Sequence, residues 1–278
     1  MKIKCIALDL DRTTLDESGR LSEGNRLALC EVMKKGIHVI IASGRSFQVL
    51  PKDILVLPGI EYAVTGNGSA MYHIPSGRCM KQCLLCPQDI EAVLEAVHGE
   101  DAACEAFMDG RAYAEKKELD RLEYYGFTGH PAAYVRETRI PVEDIRDFLR
   151  KHKEHMEGMD VVAAEEAARK RIRERIEKNT RAAYITSSIP QLIEVSHKDT
   201  GKHHGVAFLL EYLGLRPEEL AAFGDGDNDI DLLRYAGYGI AMSNGTEGCK
   251  AAADAITKHH QEDGVAYGLR EILGVIGT

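Results

Sequence analysis

The chain has no tryptophan, and aromatic residues make up only 6% of it. Nowhere does it approach the ~20 consecutive apolar residues that span a bilayer, which excludes a membrane-spanning helix. Positive charge is in deficit: 35 Lys and Arg stand against 44 Asp and Glu, a formal net charge of -9. Nucleic-acid binders draw their affinity from neutralising phosphates, so this balance argues against that class and suits a divalent cation instead. The 7 cysteines are odd in number and irregularly spaced, unlike the disulfide framework of a small secreted domain. The first ten residues run straight into a strand, without an apolar signal region or an Arg-rich transit segment, and a reducing, cytoplasmic setting is expected. There is no internal repeat and no low-complexity segment.

Several motifs are also missing or incomplete. Counting from Asp225, a calcium loop needs Gly at its sixth position and Glu at its twelfth, and the chain has Ile230 and Ala236 there. Gly66-Asn67-Gly68 begins like a dinucleotide fingerprint, but the third glycine fails at Met71, so a plain turn is favoured, with Asn67 bordering the site at most. Cys83-x-x-Cys86 lacks the second pair that a zinc site wants, and reduced thiols are expected there. His152, His155, His203-His204 and His259-His260 fit no metalloprotease pattern and read as surface histidines.

What is present is an ordinary globular composition, 44% hydrophobic and 28% charged over 278 residues. That length suggests two domains or one large one. The amino-terminal part alternates strand and helix. After a strand at 3–8 comes "LSEGNRLALCEVMKKG", a helix with Ser22 as cap, Leu27, Leu29, Val32 and Met33 as its apolar set and Gly36 as its stop. "IHVIIASGR" is a β-branched strand, and "EYAVTGNGSAMYHIPSGRCMKQCLL" a strand and hairpin turning at Pro75-Ser76-Gly77. This rhythm predicts a parallel sheet with helices on both faces.

From about residue 85 the style changes. "PQDIEAVLEAVHG" and "VEDIRDFLRKHKEHM" are amphipathic helices among strand candidates "ACEAFMD" and "AAYVRE". "AEEAARKRIRERIEKN" is expected as a solvated helix carrying the pairs Glu165/Arg169, Glu166/Lys170 and Glu174/Lys178. "AAYIT" and "QLIEVSH" close the section as strands. After residue 200 the alternation resumes. The domains are therefore drawn as a core of residues 1–84 and 196–278 with an α+β insertion at 85–195.

The chemistry sits where strands end. "CIALDLDRTTLD" turns an apolar strand into Asp9 and Asp11. Residues i and i+2 of a strand share a side, so these carboxylates should crowd together and need a positive partner. "AAFGDGDNDID" repeats the pattern at Asp225, followed by Asn228 and Asp229. Open α/β sheets gather working residues at the carboxyl ends of their strands, which would bring Asp9, Asp11, Ser43 and Asp225 to one crevice. Mg2+ accepts one or two carboxylates together with water and phosphate. Ser43-Gly44-Arg45, where a helix is expected to begin, can cradle phosphate oxygens. Lys202 opens a helix and supplies fixed positive charge. This set suits phosphoryl transfer, which depends on positioning and charge neutralisation.

These residues carry a resemblance. "DLDRTTLD", "IIASGR", Lys202, "FGDGDNDIDLL" and "IAMSNGTEGCKAAADAITKHHQEDGVA" resemble the four motifs and tail of the haloacid dehalogenase superfamily, in its Cof-type branch with a type IIB cap. The resemblance implies a Rossmann-like doubly wound core with an inserted cap, and a phosphatase acting on a small phosphorylated metabolite, most simply a sugar phosphate. It implies Asp9 as the nucleophile that becomes an aspartyl phosphate and Asp11 as general acid and base. Ser43 would hold a phosphoryl oxygen, Lys202 would balance charge, and Asn228 would reach the phosphate. Mg2+ would be held by Asp9, the backbone carbonyl of Asp11 and Asp225, with Asp229 behind it. The insertion would be a lid that closes over the core and chooses the substrate. A phosphosugar mutase and a non-catalytic metabolite-binding protein are the competing readings; no nucleic-acid or membrane partner is implied. Two positions depart from the family: Arg12 stands where glycine is usual, and Thr14 stands where Leu is usual. Arg12 is within reach of the phosphate or of Asp11.

Overall fold

The computed structural model describes residues 2–277. The apolar stretch after Lys4 forms strand β1 (Cys5–Leu8), buried at every residue, as a strand covered on both faces must be. A helix, Glu23–Lys34, follows. The Ser22 hydroxyl accepts from the N–H of Asn25 and caps it, satisfying one of the donors left open at a helix start. Ala28, Leu29 and Val32 face inward. Leu27, expected with them, is 51% exposed. Two residues from Leu29 is more than half a helical turn, so both cannot share one face. β2 (His38–Ala42) and β3 (Ile60–Thr65) are followed by β4 (Ala70–His73) and β5 (Arg78–Gln82). A tight turn at Gly66–Gly68 sets β4 antiparallel to β3. The turn into β5 runs through Pro75 and Ser76 to Gly77, which adopts φ 63°.

The chain divides into two compact units. One contains the chain up to Arg45, Leu50–Lys81 and the chain from Gly201 on; the other contains Ser46–Val49 and Gln82–Thr200. Ser46–Val49 goes with the second unit because the N–H of Gln48 donates to Gly110 O at 3.1 Å and its side chain accepts from Arg111 Nε. That unit holds β6 (Ala102–Met108), β7 (Arg111–Glu115), β8 (Arg139–Val142), β9 (Met156–Ala163), β10 (Ala183–Thr186) and β11 (Leu192–His197). They form one sheet in the order β10-β11-β9-β6-β7-β8. Cys104, Ala106, Met159, Val161 and Val195 on one face pack with Ile90, Leu149, Ile172 and Ile176 from three helices.

Two expectations fail in this unit. "AAYVRE" is not a strand but part of the helix Gly129–Thr138. Ala132 and Val135, three residues apart, bury together with Leu122, Tyr125 and Phe127, and that spacing is helical. The charged helix, Glu166–Asn179, is not solvated all round, since Ala168, Ile172 and Ile176 are buried. None of the three expected ion pairs is found among the described residues. Arg173 instead meets Glu177 at 2.8 Å, while Arg171 and Arg175 converge on Glu100 at 2.7 and 3.1 Å.

In the first unit β12 (Leu220–Gly224), β13 (Tyr238–Ala241) and β14 (Ala255–Ile256) complete an eight-stranded sheet ordered β14-β13-β12-β1-β2-β3-β4-β5. From β14 to β3 every pairing is parallel. Cys5 and Ala7 of β1 pack toward Val206, Leu209 and Leu210 of the helix Lys202–Leu213. Ile6 and Leu8 point to the opposite face and are equally buried. Helices thus cover both faces, and the sheet is doubly wound. Chain order reverses between β1 and β12, which is the place where such sheets open a crevice. Among the described residues no helix is long and apolar enough to cross a membrane.

Candidate active site

The register aligns Leu8 with both Ile41 and Phe223, so β1, β2 and β12 end level. Asp9, Ser43 and Asp225 therefore leave three neighbouring strands at one edge of the sheet. The N–H of Asp9 donates to Phe223 O at 3.1 Å, tying β1 to β12 at the crevice.

Lys202 organises the acids. Its Nζ donates to Asp9 Oδ1 and to Asp229 Oδ1, each at 2.6 Å. The other oxygen of Asp229 accepts from the N–H groups of Asp225 and Gly226 at 2.9 and 3.0 Å. Gly224 makes this possible, because a Cβ there would stand 2.4 Å from Cβ of Asp229. Asp9, Asp225 and Asp229 are all buried, and each offers a carboxylate oxygen within 4.8 Å of the others.

Charge does not balance inside the cluster. Burial lifts Asp9 well above the usual carboxylate range; Lys202 opposes the shift, and Asp229 and Asp225 add to it. Burial and Asp229 push Asp225 up to about 7 against the pull of Arg12 and Lys202. Burial works against a charged Lys202, but Asp229 and Asp9 outweigh it and raise the ammonium above its ordinary value. Three carboxylates around one buried ammonium leave room for further positive charge, and hard oxygen donors of this kind suit a divalent cation such as Mg2+. Both oxygens of Asp229 are already engaged. Direct contact with a cation would therefore come from the second oxygen of Asp9 and from Asp225, with Asp229 holding Lys202 and the 225–226 turn in place.

Asp11 does not crowd against Asp9. The strand ends at Leu8 and Leu10–Thr14 forms a wide turn in which Arg12 has φ 60°, so the same-side rule for strand residues no longer applies. Asp11 is instead gripped at both oxygens by Arg45, Nε at 2.8 Å and Nη2 at 2.6 Å. Arg12 reaches neither Asp11 nor open solvent alone: its Nε lies 3.5 Å from Asp225 Oδ2.

The Ser43-Gly44-Arg45 segment is a turn, with only the short helical stretch Phe47–Val49 beyond it; the expected helix does not start there. Ser43 is buried, and its hydroxyl accepts from the N–H of Arg45 at 3.1 Å. Asn67 binds these parts together more than a turn residue would. Its N–H donates to Ser43 O, its carbonyl accepts from the N–H of Gly201 at 2.8 Å, and its Oδ1 accepts from Asn228 Nδ2 at 3.0 Å. Its φ of 51° and the flanking glycines are the signal that could have marked it, since short polar residues tolerate that conformation. Gly68 approaches Gly201 so closely that a Cβ would lie 2.3 Å from the Gly201 carbonyl oxygen. That contact sets the start of the Lys202 helix.

Outside this cluster, His260 is not a surface histidine. It is buried, with Nδ1 2.9 Å from Leu15 O. Cys83 Sγ lies 3.2 Å from Nδ1 of His197, while Cys86 precedes the helix Pro87–Ala96.

Comparison with known proteins gives the family. The model of a family described as haloacid dehalogenase-like hydrolase matches residues 6–269. The 5-amino-6-(5-phospho-D-ribitylamino)uracil phosphatase YcsE of Bacillus subtilis is 29% identical over 96% of this chain and 95% of its own. The phosphatase YwpJ of the same organism is 29% identical over 98% of this chain and all of its own. Among solved structures, the HAD subclass IIB sugar phosphatase BT4131 shares the fold at a TM-score of 0.83 and 22% identity, covering 98% of this chain and 100% of that one.

Proposed function

The chain belongs to the haloacid dehalogenase-like hydrolases and is a phosphatase of that family, and from this premise we propose that it hydrolyses a phosphate ester of a small polyhydroxylated metabolite through an aspartyl phosphate on Asp9. The observation that carries the reading is the setting of Asp9: its buried carboxylate stands beside Asp225 and Asp229 at the end of β1, with the Lys202 ammonium on one oxygen.

Mg2+, held by Asp9, Asp225 and the backbone carbonyl of Asp11, would supply positive charge to the phosphoryl oxygens. A carboxylate oxygen of Asp9 attacks phosphorus, and the bond from phosphorus to the ester oxygen breaks. Asp11 hands its proton to that leaving oxygen. In the second half Asp11 takes a proton from water, whose oxygen attacks the same phosphorus, and the bond to Asp9 breaks to release inorganic phosphate. Ser43 and Gly44 hold phosphoryl oxygens, Asn228 contacts the phosphate from its place on Asn67, and Lys202 offsets the charge on Asp9. Since Arg45 occupies both oxygens of Asp11, Asp11 can take up a proton from water and pass it to the leaving oxygen only after that pair parts. A phosphate in the crevice draws the guanidinium away and frees the acid in one exchange.

Residues 85–195 are assigned the choice of substrate. Sugar phosphates follow from the resemblance, and the relative YcsE is named for a ribityl phosphate; a phosphate on a polyol chain is common to both. The test is phosphate release from p-nitrophenyl phosphate, hexose phosphates and 5-amino-6-(5-phospho-D-ribitylamino)uracil, with Mg2+ or with EDTA. Release with Mg2+ and none with EDTA is expected. Silence across the panel would refute the reading. Conversion of a hexose 1-phosphate to its 6-phosphate without free phosphate would replace it with a mutase.

A further inference from the structure

Arg12 holds a backbone conformation that its side chain disfavours. Its φ of 60° lies in the left-handed region, where a Cβ is strained and glycine is not. The conformation is held from a distant part of the chain. Asn244 Nδ2 donates to Arg12 O at 2.9 Å, and Arg12 Nη2 reaches back to Asn244 O at 3.4 Å. Asn244 is itself fixed, since its Oδ1 accepts from the N–H of His260 at 3.0 Å.

This brace aims the guanidinium at one atom. Asp225 Oδ1 accepts from the Thr13 hydroxyl at 3.2 Å, and Oδ2 faces Arg12 Nε at 3.5 Å. The carboxylate that would ligate a divalent ion therefore already has a cation of the chain's own beside it. We propose that Arg12 is a resident counter-cation that competes with the divalent ion for Asp225 and sets how tightly that ion is bound. The proposal rests on the metal reading given above. Entry of the ion requires the guanidinium to leave Oδ2, and it then remains nearby as a like charge. The Arg12 side chain is 50% exposed, so solvent screens it, and the penalty is about tenfold in affinity rather than the far larger effect of a buried pair.

The experiment is Mn2+ titration of the metal-stripped, full-length protein by calorimetry and by electron paramagnetic resonance. Wild type is compared with Arg12→Gly, Arg12→Asn and Arg12→Lys. Glycine and asparagine both accept the backbone conformation and lack the charge; lysine retains the charge. Expected is a Kd about tenfold lower for the Gly and Asn variants, with Lys within about threefold of wild type. Equal Kd in all four proteins, or weaker binding in Gly and Asn, would overturn the proposal while leaving the metal site standing. Mn2+ binding in none of them would remove the metal site itself and the proposal with it.

Discussion

Replacing Lys202 with methionine tests the charge balance of the site directly. The Lys202 side chain is 1% exposed and its ammonium touches two carboxylates, each at 2.6 Å. Methionine keeps much of the stem volume and removes the charge, leaving Asp9 and Asp229 buried side by side without their shared cation. Removing one partner of a buried ion pair costs about 3–5 kcal/mol, roughly a fifth or more of the stability of an ordinary domain. The loss should be largest at pH 8. It should shrink to about 1–2 kcal/mol at pH 5, where protonating the Asp9 carboxyl, which burial lifts well above the usual range, relieves the repulsion. Urea unfolding in EDTA at the two pH values measures both. A second substitution, Asp229→Asn, removes one of the stranded charges and should restore about half of the loss at pH 8. A loss below about 1 kcal/mol, or a gap that does not change with pH, would show that Lys202 does not balance Asp9 and Asp229.

In the metal-free protein the contribution of Asp225 to stability should fall as the pH rises. Asp225 is lifted to about 7, so the folded chain keeps a proton that the unfolded chain releases near pH 4; this contribution is full below about pH 4 and gone above about pH 7. The difference in urea stability between wild type and Asp225→Asn in EDTA should change by about 3–4 kcal/mol across that window, and saturating Mg2+ should abolish most of the change. Asp9→Asn should lower phosphate release at least about 10³-fold with an unchanged circular dichroism spectrum, and its melting temperature in EDTA should not fall, because a neutral amide suits the burial that lifts the Asp9 carboxyl. Gly68→Ala should cost more than about 2 kcal/mol, because its Cβ would meet the Gly201 backbone and its φ is 98°. Gly77→Ala, with φ 63° and open space around it, should cost about 1 kcal/mol.

Most of the fold was legible because its signals are local. Short apolar runs mark β1, β2 and β12, and a hydroxyl cap with a glycine stop brackets the helix Glu23–Lys34. Errors arose where two periodicities compete or where a partner is distant. In "AAYVRE" the small and β-branched residues suit a strand, and burial of Ala132 and Val135 in a cluster with Phe127 decides for a helix. The i,i+4 pairs that the charged helix offers within itself are a local signal only. Glu100, seventy residues away, offers Arg171 and Arg175 a shared partner, and the burial of Ile172 and Ile176 fixes which face is free to make it. His260 could not be placed from its neighbours either, because Leu15, whose carbonyl it meets, comes from the other end of the sequence.

The site divides in the same way. Asp9, Ser43 and Asp225 follow from where apolar strands break, because parallel strands that start level also end level. What each long side chain does is another matter. Arg12 and Arg45 both lie within reach of the acids, and sequence alone put Arg12 near Asp11. The structure gives Asp11 to Arg45 and Asp225 to Arg12. The backbone of Arg12 decides this: once Asn244 holds it at φ 60°, Leu10–Thr14 turns instead of extending. Asp11 and Arg12 then no longer follow strand alternation. The difference matters for chemistry. An arginine on Asp11 must move before the acid can act, whereas an arginine on Asp225 must move before a cation can bind. On the proposed roles, a single left-handed residue, fixed by an asparagine 232 positions later, determines which of the two steps each guanidinium controls.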